Sequence, residues 1–314
     1  MNDDLEPEIR KFHQEINEDY ARRGASPQLS LSDRRAVAEE VRRPWAKGGP
    51  VMEKTRDLQV GDRQVHIRIY EPKNTCARAA LIYVHGGGWT MFSLDTHDRL
   101  MREYAARTGV AVVGIDYSLS PEVRFPHALE EIESVISWLR EGNEPSIDPH
   151  RLAIAGDSAG ANMALATSLR LRDAGKRALS AMVLNYGAFD WKFRGSYERY
   201  GSEAYMLTAS EMEDFWRNYL LEKDRDDPHA RVAVANYTGL PPTYLCIAEC
   251  DILADENYEV AERLAADGVA VRVKVYQGAT HSFLESVAIS PLAGKAFSDA
   301  STWLRPFLVD ASAS

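Results

Sequence analysis

From residue 79 to the last helical stretch the chain repeats one pattern, and that pattern narrows its possible folds more than any other feature. Short runs dominated by apolar and β-branched residues occupy 79–84, 110–115, 152–155, 181–185, 242–248 and 271–276. Longer stretches with helical spacing of their apolar positions lie between and after them, at about 95–107, 126–140, 159–172, 254–266 and 294–308. Strands that alternate with helices pair in parallel and are covered on both faces. A hairpin comes first, with 55–60, a Gly61-Asp62 turn, and a strictly alternating run at 65–70. The pattern predicts an α/β fold with a mostly parallel eight-stranded sheet flanked by helices. Gly268, just after the 254–266 stretch, is the expected C-terminal stop of that helix.

Two stretches break the rhythm. Residues 1–50 are polar, with helical patterns at 6–22 and 32–42, and Leu5, Ile9, Phe12 and Ile16 form an apolar face that needs a partner. The interval from Asn185 to Pro242 is far longer than one crossover helix requires, and it is rich in aromatics such as Trp191, Phe215 and Trp216. Long insertions in compact domains tend to be lids or binding elements. We therefore expect 51–314 to be the main α/β domain with a helical cap over the sheet's carboxyl edge. The cap would be built from 187–236 and joined by the helices of 1–50.

Composition bounds the function classes. With 314 residues, 45% hydrophobic and 27% charged, the chain has the balance of a globular protein with a substantial core. A net charge of −10 speaks against a nucleic acid partner, because neutralising phosphates needs a basic face. Met1 to Glu6 shows neither the basic start nor the apolar stretch of a secretory signal, and no run is long enough to span a bilayer. Cys76, Cys246 and Cys250 do not make a disulfide framework, and Cys246 and Cys250 read as small buried hydrophobes. The expected location is the cytoplasm. No constellation of ligands with metal spacing appears, so neither metal nor cofactor is expected.

Gly156-Asp157-Ser158-Ala159-Gly160 falls between a predicted strand and a predicted helix and reads as a nucleophile elbow. The turn is so tight that a side chain on either side of the Ser158 turn would strike the adjoining strand or helix, and glycine removes that clash. Ser158 is then lifted above the strand end, with a helix N-terminus beneath it. A serine hydroxyl needs a base, and the base needs an orienting carboxylate. After Ser158 the chain offers His229, in a polar surface stretch, and His281, in the loop after the last strand. The carboxylate candidates are Glu249, Asp251, Asp255 and Glu256. Asp251 stands just past the 242–248 strand in the Glu249-Cys250-Asp251-Ile252-Leu253 segment, where its side chain can turn toward the sheet edge, while Asp255 and Glu256 suit the first turn of the next helix. Ser158, Asp251 and His281 are thus the expected catalytic residues, brought together at three strand ends.

His85-Gly86-Gly87-Gly88-Trp89 follows the 79–84 strand, and its glycines let backbone N–H groups approach a ligand. The expected oxyanion hole comprises Gly86, Gly87 and Ala159, with His85 fixing the loop. No lysine follows either glycine cluster, which speaks against a phosphate cradle. Trp89 and Phe92 beside the hole, with Tyr186 and Phe189 at the next strand exit, would shorten an acyl pocket. The competing reading is that these aromatics only pack the cap on the sheet.

His85-Gly86-Gly87-Gly88, Gly156 to Gly160, Asp251-Ile252-Leu253 and His281-Ser282-Phe283 occur in the order that resembles the hormone-sensitive-lipase-like branch of α/β-hydrolases. Asp95 to Arg99 and Asp116 to Glu122 are most similar to bacterial acetyl esterases. The resemblance runs from about residue 50 to the C-terminus and implies the same triad and hole, with an N-terminal cap. Two positions depart from the broader family's pattern: Ser118, where arginine is usual, and Ala161, where a second glycine is usual. Glu122 and Asp157 read as loop anchors. The expected reaction is hydrolysis of acetyl to butyryl esters of small molecules through an acyl-enzyme. The alternatives are a small-ligand receptor with disabled catalysis, or an amidase or lipase using the same triad. The last strand and helix also offer a surface for a homodimer.

Overall fold

The structure, a computed structural model, describes residues 4–26 and 28–309. Two antiparallel strands, β1 (Met52–Val60) and β2 (Val65–Pro72), lead into β3 (Ala80–Val84), β4 (Ala111–Asp116), β5 (Leu152–Asp157), β6 (Met182–Asn185), β7 (Thr243–Ala248) and β8 (Val271–Tyr276). All eight join one sheet in the order β1-β2-β4-β3-β5-β6-β7-β8. β2 meets β4 antiparallel, and every later pairing is parallel. The helices are α1 (Pro7–Arg22), α2 (Leu31–Ala46), α3 (Asp98–Thr108), α4 (His127–Arg140), α5 (Ala159–Asp173), α6 (Gly195–Tyr200), α7 (Ala209–Tyr219), α8 (Ala254–Ala266) and α9 (Pro291–Leu308).

The sheet is central because its inner strands are apolar on both sides. β3, β5, β6 and β7 are buried along their whole length. Successive side chains of β3 go to opposite faces. Ile82 and Val84 join the core under α4, α5 and α8, while Leu81 and Tyr83 join the core under α3 and α9. Register then sets the site. Val84 pairs with Gly156, and Asp157 with Asn185, so the loops after β3, β5 and β6 leave the sheet side by side.

α1 and α2 hold their own small core of Phe12, Ile16 and Val41, with the Phe12 ring set edge-on to Trp45 at 4.6 Å. Burying each such side chain is worth about 1.5–3 kcal/mol. Glu122, expected to anchor a loop, meets the Arg35 guanidinium of α2 through two bonds of 2.7 and 2.8 Å. The 187–236 interval contains α6 and α7 with short 3-10 turns. α7 opens on a reciprocal cap in which Thr208 and Glu211 satisfy each other's backbone N–H groups.

Element boundaries differ from expectation where side chains compete with the helix. α3 begins at Asp98 rather than near residue 95, because the Thr96 hydroxyl bonds back to the Ser93 carbonyl at 2.8 Å and holds a turn. α9 begins at Pro291, three positions before Gly294, because the Ser290 hydroxyl caps Ala293 N–H and proline suits the first helical turn. α2 runs on through Pro44 to Ala46. Gly268 follows the end of α8 in the left-handed region, at φ +81°, as its position required.

Candidate active site

β5 ends at Asp157 and α5 begins at Ala159, which leaves Ser158 alone to make the turn. Its backbone sits at φ 53°, ψ −120°, a conformation costing on the order of 1–3 kcal/mol. The neighbours hold it there. Ser158 N–H donates to the Asn185 carbonyl at 2.9 Å, and Ala188 N–H donates to the Ser158 carbonyl at 3.2 Å. A Cβ on Gly156 would come under 3.0 Å from the backbone of Gly160, and one on Gly160 under 3.0 Å from the carbonyl oxygens of Val84 and His85. Both glycines are therefore steric requirements of the turn.

Two loops bring the partners. The segment after β7 is stitched to the one after β8 by Cys250 N–H to Ala279 O at 2.8 Å and Gly278 N–H to Glu249 Oε2 at 2.9 Å. This lays Asp251 beside His281. His281 Nδ1 lies 2.8 Å from Asp251 Oδ2, and His281 Nε2 lies 2.9 Å from Ser158 Oγ. The Nδ1 proton donates to the carboxylate, so Nε2 is left bare to accept from the hydroxyl. Asp251 Oδ1 accepts Leu253 N–H at 3.0 Å, which fixes the carboxylate's rotation. Burial pushes the His281 pKa down, but the charge and hydrogen bond of Asp251 outweigh it and hold the pKa above the ordinary value. The other acidic candidates work elsewhere. Asp255 holds Ser196 N–H and Arg199, and Glu256 is buried under Phe189, whose N–H it accepts at 2.6 Å. His229 pairs with Asp173, away from the cavity.

The glycine loop corrects one expected donor. Gly86 N–H donates to Asp157 Oδ1 at 3.1 Å, so the carboxylate turns it away from the serine. Gly87 and Gly88 line the cavity instead, and within the described residues their N–H groups and that of Ala159 carry no hydrogen bond. Asp157 is the anchor of this loop. It also accepts the Tyr83 hydroxyl at 2.8 Å and lies 3.3 Å from His97 Nε2. His85 supports the turn, with its ring stacked on Tyr117 at 4.4 Å and its Nδ1 2.8 Å from the Gly86 carbonyl.

Three of the four aromatic candidates also move. Trp89 stacks flat on Tyr219 at 4.4 Å and touches Trp216, so it packs the 187–236 segment onto the sheet. Phe189 is fully buried in that same core. Tyr186 sets its ring edge-on to the His281 imidazole at 5.1 Å, behind it rather than in the cavity. Phe92 alone of the four faces the cavity.

That cavity, about 600 Å³, opens above Ser158 and His281. Its lining combines apolar side chains, Phe92, Met206, Met212 and Phe215, with polar ones, Asn17, Tyr20, Arg42 and Glu285. The side chains from α1, α2 and α7 escaped the sequence reading because nothing local marks a helix face as cavity-lining. Arg42 gave one signal, an arginine on the buried stripe beside Ala38 and Val41. Ser118 lies outside the cavity, where it donates to Glu131 from both N–H (2.7 Å) and hydroxyl (2.6 Å). Among the described residues no group of three or more His, Cys, Asp and Glu could hold a metal ion, and no helix is long and apolar enough to cross a membrane.

A hydroxyl, an imidazole and a carboxylate in series at the carboxyl edge of such a sheet are the arrangement of α/β hydrolases. A family model described as the alpha/beta hydrolase fold matches residues 81–285. An acetyl esterase of Salmonella choleraesuis is 37% identical over an alignment of 267 residues, and the match covers 82% of this chain and 81% of that protein. A hyperthermophilic esterase from the archaeon Pyrobaculum calidifontis superposes with a TM-score of 0.89 at 28% identity, covering 99% of each chain. A thermostable esterase from Pseudomonas putida gives 0.88 at 30% identity, covering 98% of this chain and 99% of its own. The chain belongs to the α/β-hydrolase family, in its hormone-sensitive-lipase-like branch, and is a carboxylic ester hydrolase.

Proposed function

We propose that the protein hydrolyses short-chain acyl esters, acetyl to butyryl, with Ser158 as nucleophile, His281 as base and Asp251 as its orienting carboxylate. Ser158 Oγ attacks the ester carbonyl as its proton passes to His281 Nε2. The carbonyl oxygen becomes an oxyanion held by the N–H groups of Gly87, Gly88 and Ala159, each such donor being worth roughly 3–4 kcal/mol. The carbon–oxygen bond to the alcohol then breaks, and the alcohol leaves with the proton from His281. Water, deprotonated by His281, attacks the acyl-enzyme, and Ser158 recovers its proton as the acid departs. The observation that carries this reading is the continuous relay of 2.9 and 2.8 Å from hydroxyl through imidazole to carboxylate, opening on a cavity. Helices α1 and α2 and the 187–236 segment act as its cap, and the bare edge of β8 is the surface on which a second copy would pair. An organophosphonate ester tests the assignment: the intact protein gains one adduct at Ser158, and an adduct on any other residue overturns it.

The acyl limit rests on two rings. Phe92 and Phe215 crowd the two glycines so closely that a Cβ on Gly87 or Gly88 would meet them under 3.0 Å. The acetyl esterase relative supports the same limit. Rates across nitrophenyl esters are expected to fall beyond butyrate. Phe215→Ala is expected to raise the octanoate-to-acetate ratio about tenfold, a side chain's worth of pocket discrimination. A wild-type rate that climbs toward decanoate would remove the short-acyl reading.

The pH profile carries a sign. Only neutral His281 accepts the serine proton, and Asp251 holds the imidazole pKa above the ordinary 6.5. The acid limb of kcat/KM is therefore expected to have its midpoint above 6.5, with activity falling as pH drops through it. A profile flat across that region would count against this base.

A further inference from the structure

We propose that Arg42 of α2 is a positioning residue for His281, acting through Glu285 to hold the turn after the imidazole and to cancel the carboxylate charge beside it. Arg42 Nε donates to Glu285 Oε2 at 3.0 Å, and its Nη1 donates to the Tyr20 hydroxyl at 2.8 Å. Its guanidinium carbon lies 4.9 Å from the Phe92 ring centre and 5.4 Å from that of Tyr20. Glu285 sits in the 3-10 turn Phe283–Ala288, which begins two residues after His281. One guanidinium thus touches α1, the loop after β3 and the turn that follows the imidazole.

Burial makes this pair hard to explain as packing. Arg42 is 5% and Glu285 3% exposed, and a buried ion pair is often no more stabilising than apolar side chains of the same volume. Its place gives a reason. His281 is bonded to Asp251 after β7 and meets the Tyr186 ring after β6, and it shares its cavity with Asp157 at the end of β5 and Glu285 on the turn that follows it, whose charges both favour its protonation. Each carboxylate favours the imidazolium, which cannot accept the serine proton. Asp251 is needed to orient the ring, and Asp157 is already engaged by Tyr83, Gly86 and His97. Glu285 is the remaining negative charge, and Arg42 neutralises it. Tyr20 and His97 feel both charges of this pair, His13 on α1 feels Arg42, Tyr186 feels Glu285, and Glu211 is the further acid near the guanidinium.

The inference rests on His281 being the base, and His281→Gln tests that separately by removing turnover. The decisive measurement is kcat/KM for nitrophenyl acetate from roughly pH 5 to 9. Glu285→Gln is expected to move the acid limb down by about 0.5–1 pH unit, because a negative charge is lost while Arg42 remains. Arg42→Met is expected to move it up by a similar amount, and the double variant to return it close to wild type. Arg42→Lys keeps the charge and is expected to keep the limb in place. If Arg42→Met does not fold, Glu285→Gln and the double variant, each checked by its melting curve, decide the matter. Variants that lower kcat or melting temperature while the limb stays put make the pair a packing feature and overturn the proposal. A His281→Gln protein that still turns over would instead overturn the base assignment.

Discussion

Ser158→Ala is expected to lower kcat for nitrophenyl acetate by roughly 10⁴–10⁶-fold while the protein remains folded. The alanine keeps the backbone turn at φ 53°, and the bonds that hold this turn come from the main chain of Ser158, Asn185 and Ala188. Only the hydroxyl goes, and with it the bond to His281 Nε2. Binding and the proposed oxyanion donors, the N–H groups of Gly87, Gly88 and Ala159, are expected to leave some rate above that of water, which sets the floor. Two measurements check this: initial rates at saturating ester, and a thermal melt showing an unchanged or slightly higher midpoint. A variant retaining more than about one-hundredth of wild-type kcat would mean that another group attacks the ester.

Gly160→Ala is expected to cost roughly 3 kcal/mol or more and to abolish activity in whatever fraction still folds. The added methyl would stand under 3.0 Å from the carbonyl oxygens of Val84 and His85. Those atoms belong to the end of β3 and the start of the glycine loop, and a backbone cannot swing aside as a flexible side chain can. Relief requires α5 to lift from the sheet, which would move Ser158 and the Ala159 N–H away from the loop that faces them. Gly294→Ala in α9 is the control, since nothing lies within 4 Å of its added methyl. There the loss of chain freedom in the unfolded state is expected to stabilise by about 0.5–1 kcal/mol. Urea midpoints compare the two, and similar values for both variants would show that the close approach at the elbow is unimportant.

How much was readable in advance depended on how local each cause was. The elbow was legible because its residue pattern lies within five residues, strand, glycine, serine, glycine, helix, although the atoms that require Gly160 belong to Val84 and His85. Asp251 and His281 were legible because each stands just past a strand end, and parallel strands deliver such positions to one edge. The glycine loop was half legible. Three adjacent glycines announce a close backbone approach, but which N–H groups face the serine depends on Asp157, which draws Gly86 away. The aromatics of the expected pocket misled for a related reason. Trp89 and Phe189 serve as well in packing as in lining, and the stacking of Trp89 on Tyr219 joins residues far apart in sequence.

Alternating strand and helix patterns follow from interactions between neighbours in the chain, so the residue order alone was enough to settle them. Arg42 and Glu285 stand 243 positions apart, and no pattern in either segment points to the other. Their pairing and the walls of the cavity arise where α1, α2 and α7 meet the sheet's carboxyl edge, and the turning of Gly86 arises where Asp157 meets the glycine loop. Such contacts depend on distances in space, and a chain acquires those only after its core has packed.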